Sequence, residues 1–505
     1  MKNLFKRTFV VLLIAVVTFS ITSCGANEEE NGGSDKVPEL TMAVLGNVPS
    51  NSELFYEKLD EMTKRDLGIT VRLVTLPSAD VMNQYNLALT TGEYDMYLSG
   101  NWMNHAANAR ANAFLEITDM VKTVTPALYA AIPKDDWDGS MIDGKLYCIP
   151  QTTRDYSTIS GFIYRDDLRT KYNVAEIKSL DDVADFLRAV LPNEPGMSGL
   201  IASPARKYTY AKNHDYVGID AQDVGGGLAV YGLVTTQSND LTSVVSLLDD
   251  PVYLEVITKM KQWYDEGLVN KDILSGQLNA TDMMRAGTAA GSIGTDARDL
   301  WYWGQTFEET HPDWNIEMYM FGAVNYKSRS GQTSVVIGAK SKYPELCLKF
   351  FEKVRTNRDY YDLMFYGVKG ANYNLTEAGE IDTQDIAQEN LYTYWTFWGD
   401  ENLTRKQANR WSRFDEVYDG FVLATARVDP LNGFQLDTSA ISAELAAMQQ
   451  VQTQYQAPLE AGISADPVED LEKLKIRYKD AGIDKIINAL EGQLKAFAEY
   501  RASLK

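Results

Sequence analysis

Apolar and polar positions after residue 38 follow two regular periods, one typical of strands and one typical of helices. Short apolar or alternating runs at residues 40–45, 69–73 and 95–99 predict buried strands. Between them, residues 50–68 and 78–90 place apolar side chains three and four positions apart, which predicts two amphipathic helices. This β-α-β-α-β order is typical of a parallel sheet with helical crossovers. The pattern therefore predicts an α/β fold.

Polar residues and one tryptophan stand where these predicted elements begin and end. Ser50 and Glu53 have the spacing of a capping box, which predicts the start of the first helix. Asn47 follows the first strand, and Asn101 and Trp102 follow the third. Ligands of parallel sheets gather beyond the carboxyl ends of the strands. Asn47, Asn101 and Trp102 are therefore candidate ligand contacts, with a turn or capping role as the alternative for the two asparagines.

The rest of the chain continues to alternate between helices and strands. A hairpin turn and strand at residues 143–150 precede a segment rich in Ser, Thr and charge, which predicts a passage between two lobes. Asp466 and Pro467 predict the N-cap and first position of a helix near the C-terminus, and a last helix follows it. Further periodic patterns predict helices at residues 180–190, 251–270 and 344–355 and a buried strand at residues 333–339.

The first 24 residues have the layout of a secretory signal. Basic residues precede an apolar run at residues 9–19, which is shorter than the ~20 residues of a membrane span. The next residues, ITSC, resemble the lipobox of bacterial lipoproteins, in which the cysteine, here Cys24, is lipidated and begins the mature chain. Residues 24–36 are polar and predict a flexible tether. The alternative is an ordinary signal peptide with a chance cysteine nearby.

The charge balance narrows the possible partners. The 505-residue chain has 48 Lys and Arg against 70 Asp and Glu, a net charge of −22. Removal of residues 1–23 lowers the basic count to 45 and the net charge to −25. Such an acidic body repels phosphate backbones and anionic lipid headgroups. We therefore predict no nucleic-acid partner and a membrane attachment through the lipid alone.

Cysteine and histidine usage gives no metal-site signal. Beyond Cys24 the chain has Cys148 and Cys347, each in an apolar or helical context where a buried free thiol is more common than a disulfide. The three histidines are far apart in the sequence and lack the short spacings of metal ligands. We predict no metal site and no cofactor.

Motifs of catalysis are absent from the sequence. It contains no G-x-S-x-G, no H-E-x-x-H and no phosphate-binding G-x-x-x-x-G-K-[ST]. The paired carboxylates Asp166-Asp167 and Glu308-Glu309 are adjacent, so on a helix they point apart rather than across a scissile bond. The sequence therefore predicts a binding protein rather than an enzyme.

Several segments together resemble the extracellular solute-binding proteins of bacterial ABC importers, the large family that includes the maltodextrin-binding proteins. The resemblance covers about residues 38–366. Two segments near the C-terminus of the chain, DPLNGFQLD and LKIRYKDAGIDKIINALEGQL, are similar to the C-terminal extension of a subgroup of Gram-positive lipoproteins of this kind. Arg165 departs from the family pattern, which usually has Asn after the tyrosine. The other segments that carry the resemblance are ITSC, EYDMYLSGNWMN, FLEITDMV, DGKLYCIP, GFIYRDDLRTKY, PVYLEVITKMKQWYDEGLVNKD, GTAAGSIG and YPELCLKFFEKV.

The resemblance implies a type II periplasmic-binding-protein-like fold, with two α/β lobes, parallel-rich sheets flanked by helices, and a hinge of several crossings. It implies a first lobe of residues 37–150 plus 320–366 and a second of residues 151–319 plus 367–505. It also implies a monomer that is lipid-anchored on the extracellular face of the cell membrane and delivers its ligand to the permease subunits of an importer. The hinge crossings are expected near residues 150–156, 320 and 367.

Sugar binding needs flat apolar faces for the ring and planar polar groups for the hydroxyls. Trp263 lies in a predicted helix and Trp137 in a predicted loop, and we expect both to be packing residues. Arg154 and Asp155 lie in the first crossing, and Asp296 follows a predicted strand, with a surface ion pair as the alternative role for each. The candidate ligand contacts are Asn47, Asn101, Trp102, Arg154, Asp155, Asp296, Trp301, Trp303, Trp395 and Trp398.

Four functions remain open from the sequence. A sugar or oligosaccharide carrier accounts best for the tryptophans in loops. A peptide carrier of the same fold needs a deep slot with partners for an extended backbone. An anchored glycosidase would be identified by its turnover of an oligosaccharide. A sensor would signal ligand occupancy to a membrane kinase.

Overall fold

The computed structural model describes residues 37–76, 81–152, 160–213, 215–219, 228–236, 240–294, 297–322, 325–326, 330–331 and 333–503. Residues Pro38–Lys505 form one compact unit. The strands are β1 (Glu39–Val44), β2 (Gly46–Asn47), β3 (Thr70–Thr75), β4 (Met96–Gly100), β5 (Cys148–Pro150), β6 (Gly161–Arg165), β7 (Tyr216–Gly218), β8 (Leu233–Thr236), β9 (Asp240–Ser246), β10 (Gly291–Gly294), β11 (Ile316–Met320), β12 (Asn325–Tyr326), β13 (Thr333–Ile337), β14 (Asn374–Leu375), β15 (Ile381–Asp382), β16 (Thr393–Tyr394) and β17 (Ala426–Arg427).

The α-helices differ widely in length, and the last of them is also the longest. They are α1 (Ser52–Leu67), α2 (Val81–Thr91), α3 (His105–Arg110), α4 (Met120–Val124), α5 (Pro126–Ala131), α6 (Lys134–Gly139), α7 (Asp166–Lys171), α8 (Leu180–Val190), α9 (Ala205–Lys212), α10 (Pro251–Glu266), α11 (Ala280–Arg285), α12 (Ala297–Thr310), α13 (Pro344–Thr356), α14 (Arg358–Tyr366), α15 (Phe414–Val417), α16 (Ser442–Val451), α17 (Ala457–Glu460), α18 (Pro467–Asp480) and α19 (Ile483–Ser503).

A five-stranded mixed sheet in the order β3-β1-β4-β13-β5 organises the first part of the molecule. β1 pairs in parallel with β3 and β4, as the β-α-β-α-β pattern predicts, and β13 pairs antiparallel with β4 and β5. The carboxyl ends of β1, β3 and β4 therefore lie at one edge of the sheet. The apolar residues of this sheet and its helices form the first core, and we call the part built on it the first lobe.

The first helix confirms its predicted face but not its predicted cap. Phe55, Leu59 and Met62 of α1 are buried in the first core, and Gly68 ends the helix with φ +68°. The capping box is wrong, because the Ser50 hydroxyl donates to Asn390 Oδ1 at 2.7 Å and no side chain caps α1. The spacing of Ser50 and Glu53 shows only that a local cap is possible. In the folded chain, the distant Asn390 binds the Ser50 hydroxyl instead.

A second lobe is built around antiparallel strands. β6 lies between β10 and β11, and β8 lies between β7 and β9. Phe162 and Tyr164 of β6 enter one core while Ile163 enters another, since neighbouring residues of a strand face opposite sides. The α/β class is as predicted, but these sheets are not parallel-rich. Among the described strands, parallel pairs other than those of β1 are confined to β12 with β17.

Three passages connect the two lobes. The chain leaves the first lobe after β5 to enter β6, and it returns between β11 and β13. The third passage is displaced from the prediction at residue 367. Tyr373, Tyr394 and Trp398 still belong to the first core, and Trp411 is the next buried apolar residue in the core of the second lobe that includes Ile163.

The region around residues 367–398 thus belongs to the first lobe, which corrects the boundary that assigned it to the second. The reason is a long-range pairing, since β16 pairs with β2, which directly follows β1. Gly367 ends α14, and the chain after it stays in the first core.

The C-terminal segment packs onto the second lobe. Asp466 caps α18 by accepting from Val468 N at 3.0 Å and Glu469 N at 3.1 Å, with Pro467 at the first helical position, as predicted. Buried Glu460 accepts from Arg206 Nε at 3.0 Å and from the Tyr253 hydroxyl at 2.9 Å. This buried polar network ties the C-terminal extension to α9 and α10.

Other predicted core residues are confirmed. Trp263 and Trp137 are each 1% exposed, and Trp137 stacks on Tyr129 with ring centroids 5.5 Å apart. Cys148 and Cys347 are buried free thiols, and burial raises the pKa of each to about 12. In the described ranges, the helices fall short of the combined length and hydrophobicity that crossing a membrane requires.

Candidate functional site

The end of β1 is joined directly to the segment that carries Trp395. β2 pairs with β16, and Trp395 N donates to Leu45 O at 2.9 Å. Gly46 has φ +113°, and a Cβ added there would lie 2.3 Å from Thr393 O. Glycine is required at this contact, because any side chain would force the two strands apart. Asn47 and Trp395 are therefore held at the same edge of the first sheet.

The end of β4 places Trp102 at that edge as well. β4 ends at Gly100, and residues Asn101–Met103 form a short 3-10 turn that ends at Asn104 with φ +57°. Met103 is fully buried and anchors the turn, while Trp102 is 41% exposed. A buried residue and an exposed indole alternate in this turn, so packing fixes the backbone and leaves the indole facing outward.

A buried histidine supports the same turn. His105 Nδ1 is 2.9 Å from Ser99 Oγ, and its ring stacks on Phe114 with centroids 5.4 Å apart. Burial lowers the pKa of His105 to about 4. The imidazole is therefore neutral at physiological pH and serves as a packing group against Phe114, because a charge at this position would be desolvated.

Three aromatic rings meet at this edge and form what we call the aromatic platform: Trp102, Trp395 and Phe397. The Trp102 ring lies 6.0 Å from that of Trp395 and 6.1 Å from that of Phe397, and the last two rings are 6.2 Å apart. Trp395 is 51% exposed and Phe397 is buried. Two indoles thus present apolar area to solvent from a firmly packed base.

The two candidate asparagines differ in their surroundings. Asn47 is exposed on β2, beside the pairing with Thr393. Asn101 Oδ1 is buried and has no hydrogen-bond partner among the described residues. Asn47 follows β1 and Asn101 follows β4, which places two amides at the same edge of the sheet as the indoles of the platform.

Trp301 belongs to a second aromatic group, in the second lobe. It is partly buried on α12, with its ring 5.2 Å from Phe414 and 5.6 Å from Tyr418. Phe414 and Tyr418 stack on each other at 5.2 Å. We call Trp301, Phe414 and Tyr418 the Trp301 group.

Two of the predicted contacts, Trp303 and Trp398, are core residues. Trp303 is 3% exposed and shares the buried face of α12 with Leu300 and Phe307, at the helical spacing of three and seven residues. Trp398 is fully buried in the first core near Phe351. Neither ring is accessible to a ligand in this conformation, and both are withdrawn from the candidate site.

Four of the predicted functional residues lie outside the described ranges: Arg154 and Asp155 in the first passage, Asp296 after β10, and Cys24 near the N-terminus. Within the described ranges, His, Cys, Asp and Glu side chains form no group of three or more that is arranged to hold a metal ion.

Sequence reasoning missed Phe397, Phe414 and Tyr418. Phe397 stands two positions after Trp395 in an irregular segment that turns at residues 397–398, so no regular period indicated its place beside the indoles. Phe414 and Tyr418 reach Trp301 from more than a hundred residues away, and no local pattern reports such a contact.

Comparisons with known proteins agree with this architecture. A family profile described as Bacterial extracellular solute-binding protein matches residues 58–371, and one described as Domain of unknown function (DUF3502) matches residues 430–499. The chain is 21% identical to a carbohydrate ABC transporter substrate-binding protein of Streptococcus pneumoniae, over 98% of this chain and 99% of the relative. It is 22% identical to a polygalacturonan/rhamnogalacturonan-binding protein of Bacillus subtilis, over 74% of each chain.

Solved structures match nearly the whole described fold. The N-glycan transport solute-binding protein of Streptococcus pneumoniae superimposes with a TM-score of 0.74 at 19% identity, over 92% of this chain and 100% of that one. An alginate-binding protein matches with a TM-score of 0.63 at 15% identity, over 93% and 100% of the two chains. These likenesses confirm the two-lobe, type II periplasmic-binding-protein-like fold. Because the first family profile covers more than half of the sequence, the chain belongs to the bacterial extracellular solute-binding proteins.

Proposed function

We propose that this protein captures an oligosaccharide between its lobes and delivers it to an ABC importer. The observation that carries the proposal is the aromatic platform, where Trp102 and Trp395 are 41% and 51% exposed although their rings are only 6.0 Å apart. Large exposed aromatic rings in a folded protein commonly mark a binding surface. An indole face complements the C–H face of a pyranose ring, and it loses little rotamer entropy on binding.

The relatives point to the same class of ligand. The similar proteins include one named for carbohydrate transport and one named for binding polygalacturonan and rhamnogalacturonan. The N-glycan transport protein has also been solved in complexes with Man1GlcNAc and with Man5GlcNAc, and this chain has the same fold at TM-scores of 0.67 and 0.64. These relatives are substrate-binding proteins, which supports a carrier rather than an enzyme.

The proposed site has two walls and a polar margin. The platform forms the wall of the first lobe, and the Trp301 group forms the wall of the second. Asn47 and Asn101 supply amides beside the platform, and the buried, unpartnered Oδ1 of Asn101 is a suitable acceptor for a sugar hydroxyl. We propose Arg154, Asp155 and Asp296 as further polar contacts, because the first two lie in the first passage and Asp296 follows β10.

The test is a thermal-shift and calorimetric panel on the mature chain. It contains mono- and oligosaccharides, including Man5GlcNAc, and unrelated peptides as the comparison class. A ligand at one hundred times its Kd stabilises the folded state by ~2.7 kcal/mol, which a thermal shift detects. Stabilisation by a saccharide supports the proposal, and stabilisation by peptides alone contradicts it. Chromatography of each saccharide after incubation detects any turnover.

A first prediction concerns the membrane anchor. We propose that Cys24 carries the lipid and that residues 25–36 tether the folded body to the extracellular face of the membrane. Replacing Cys24 by Ala is expected to release the protein, because stable anchoring needs more than one acyl chain. The measurement is the distribution of the protein between carbonate-washed membranes and the supernatant. Full retention of the Cys24→Ala variant would show that another segment holds the protein.

A second prediction concerns motion of the lobes. A ligand that contacts both walls binds the closed arrangement more tightly than the open one, so it shifts the population toward closure. Small-angle scattering of the mature chain is therefore expected to give a smaller radius of gyration when the bound saccharide is saturating. An unchanged radius, with binding proven by calorimetry in the same buffer, would rule out closure of the lobes.

A further inference from the structure

One fully buried arginine joins two of the three passages between the lobes. Arg355 lies at the end of α13 in the first lobe, and its side chain is 0% exposed. Its guanidinium donates to Asp400 Oδ2 through Nη2 at 2.9 Å, and Asp400 lies just beyond Trp398 in the third passage. The Asp400 side chain is itself 5% exposed. Because both charges are desolvated, they are held together far more strictly than a surface pair.

The same guanidinium also holds the first passage. Nη1 donates to Pro150 O at 3.0 Å, and Nη2 donates to Thr152 Oγ1 at 2.7 Å. Pro150 is the last residue of β5 and Thr152 is the last described residue before the chain crosses to β6. Arg355 thus contacts the backbone of one passage and the carboxylate of the other.

Backbone hydrogen bonds join the two passages side by side. Thr152 N donates to Gly399 O at 2.9 Å, and Glu401 N donates to Thr152 O at 3.3 Å. The Tyr361 hydroxyl accepts from Asp400 N at 2.9 Å, which attaches the third passage to α14 as well. We call Arg355, Thr152 and Asp400 the crossing clamp.

We infer that the crossing clamp is the fixed end of the hinge and that Arg355 is a positioning residue for ligand-driven closure. With Thr152 and Asp400 held against α13, the parts of both passages that the guanidinium contacts move with the first lobe when the second lobe rotates. Two passages anchored at one point confine the rotation to fewer directions than two independent ones. The closing motion is thereby directed so that the wall of the second lobe meets the platform.

The inference rests on the proposed function only for its affinity readout. Without the clamp, the unliganded lobes sample a broader set of orientations, and a smaller fraction is ready to close. Apparent affinity falls in proportion to that fraction, so a decrease to one fifth weakens binding about fivefold. Arg355 does not contact the proposed ligand, because it is completely buried.

Two variants remove the clamp to different degrees. Thr152→Val keeps the side-chain volume and deletes one hydrogen bond of the guanidinium. The double variant Arg355→Met with Asp400→Leu removes both charges, which avoids leaving one of them buried and unpaired. The matched control is Arg206→Met with Glu460→Leu, which removes a partly buried ion pair that lies wholly within the second lobe.

The decisive measurement is the distance distribution between spin labels at Glu61→Cys on α1 and Asp185→Cys on α8, in a Cys24→Ser background. Both label sites are well exposed, whereas Cys148 and Cys347 are buried and remain unlabelled. We expect a broader distribution without ligand in both clamp variants, and Kd raised about fivefold or more for the best saccharide of the panel in the double variant. The control pair should change neither readout.

Equal distributions in the parent and both folded clamp variants would overturn the inference, as would equal broadening in the control. If no saccharide binds the parent, the proposed function fails, and the distance distributions still decide whether the clamp orders the hinge. Unchanged affinity with a broadened distribution would also overturn the role in ligand-driven closure. Circular dichroism establishes that each variant is folded.

Discussion

Replacing Trp102 by Ala is expected to weaken oligosaccharide binding by roughly tenfold or more. The indole is 41% exposed, so its loss removes ligand contact area without opening a cavity in the core. An aromatic residue at the centre of a binding site commonly contributes on the order of 2 kcal/mol when truncated. Each tenfold change in Kd corresponds to about 1.4 kcal/mol. Calorimetric titration of the parent and the variant with the same saccharide measures the change.

Trp395→Ala provides the companion measurement. Because the two indoles are 6.0 Å apart, they are close enough to share one ligand ring, so their effects should be non-additive in the double variant.

Denaturant unfolding should show little change for Trp102→Ala. If this variant binds as well as the parent and unfolds much earlier, Trp102 is a packing residue and the platform is not the site.

The largest loss of stability is expected for Trp263→Ala. Trp263 is 1% exposed on α10, on the same buried face as Val256 and Met260. Truncating a buried tryptophan removes its transfer free energy and leaves a cavity, at a cost of ~3 to 5 kcal/mol. The midpoint of denaturant unfolding should therefore fall sharply. Saccharide affinity measured where the variant is fully folded should stay at the value of the parent.

An opposite result for Trp263 would be equally informative. Weaker saccharide binding by a fully folded Trp263→Ala variant would mean that α10 communicates with the cleft. Trp398→Phe offers a gentler comparison in the first lobe, where the buried ring lies near Phe351. It tests whether that core tolerates a smaller aromatic residue.

Local periodicity was sufficient to predict several of the longer elements of the fold. The strand at residues 333–339 is observed as Thr333–Ile337, and the helix at residues 344–355 as Pro344–Thr356. Both have strong, uninterrupted patterns of apolar positions. The Ser50 cap failed for the opposite reason, since Asn390 lies far away in sequence and takes the hydroxyl.

The candidate site was harder to predict, because exposure depends on partners that sequence spacing does not reveal. Trp303 was recoverable, since Leu300, Trp303 and Phe307 repeat at helical spacing and mark the buried face. Trp395 and Trp398 could not be separated in this way, because the segment after β16 is irregular and has no period. The boundary error near residue 367 has the same origin in the long-range pairing of β16 with β2.

The aromatic platform also allows ligand binding to be followed by the intrinsic tryptophan fluorescence of the protein. All nine tryptophans of the chain lie in the described ranges, and among them only Trp102 and Trp395 belong to the exposed apolar residues. A collisional quencher in the solvent therefore reaches mainly these two fluorophores. A bound saccharide would shield them and shift their emission, so intrinsic fluorescence can follow occupancy in real time without any label, and stopped-flow mixing can resolve association from lobe closure.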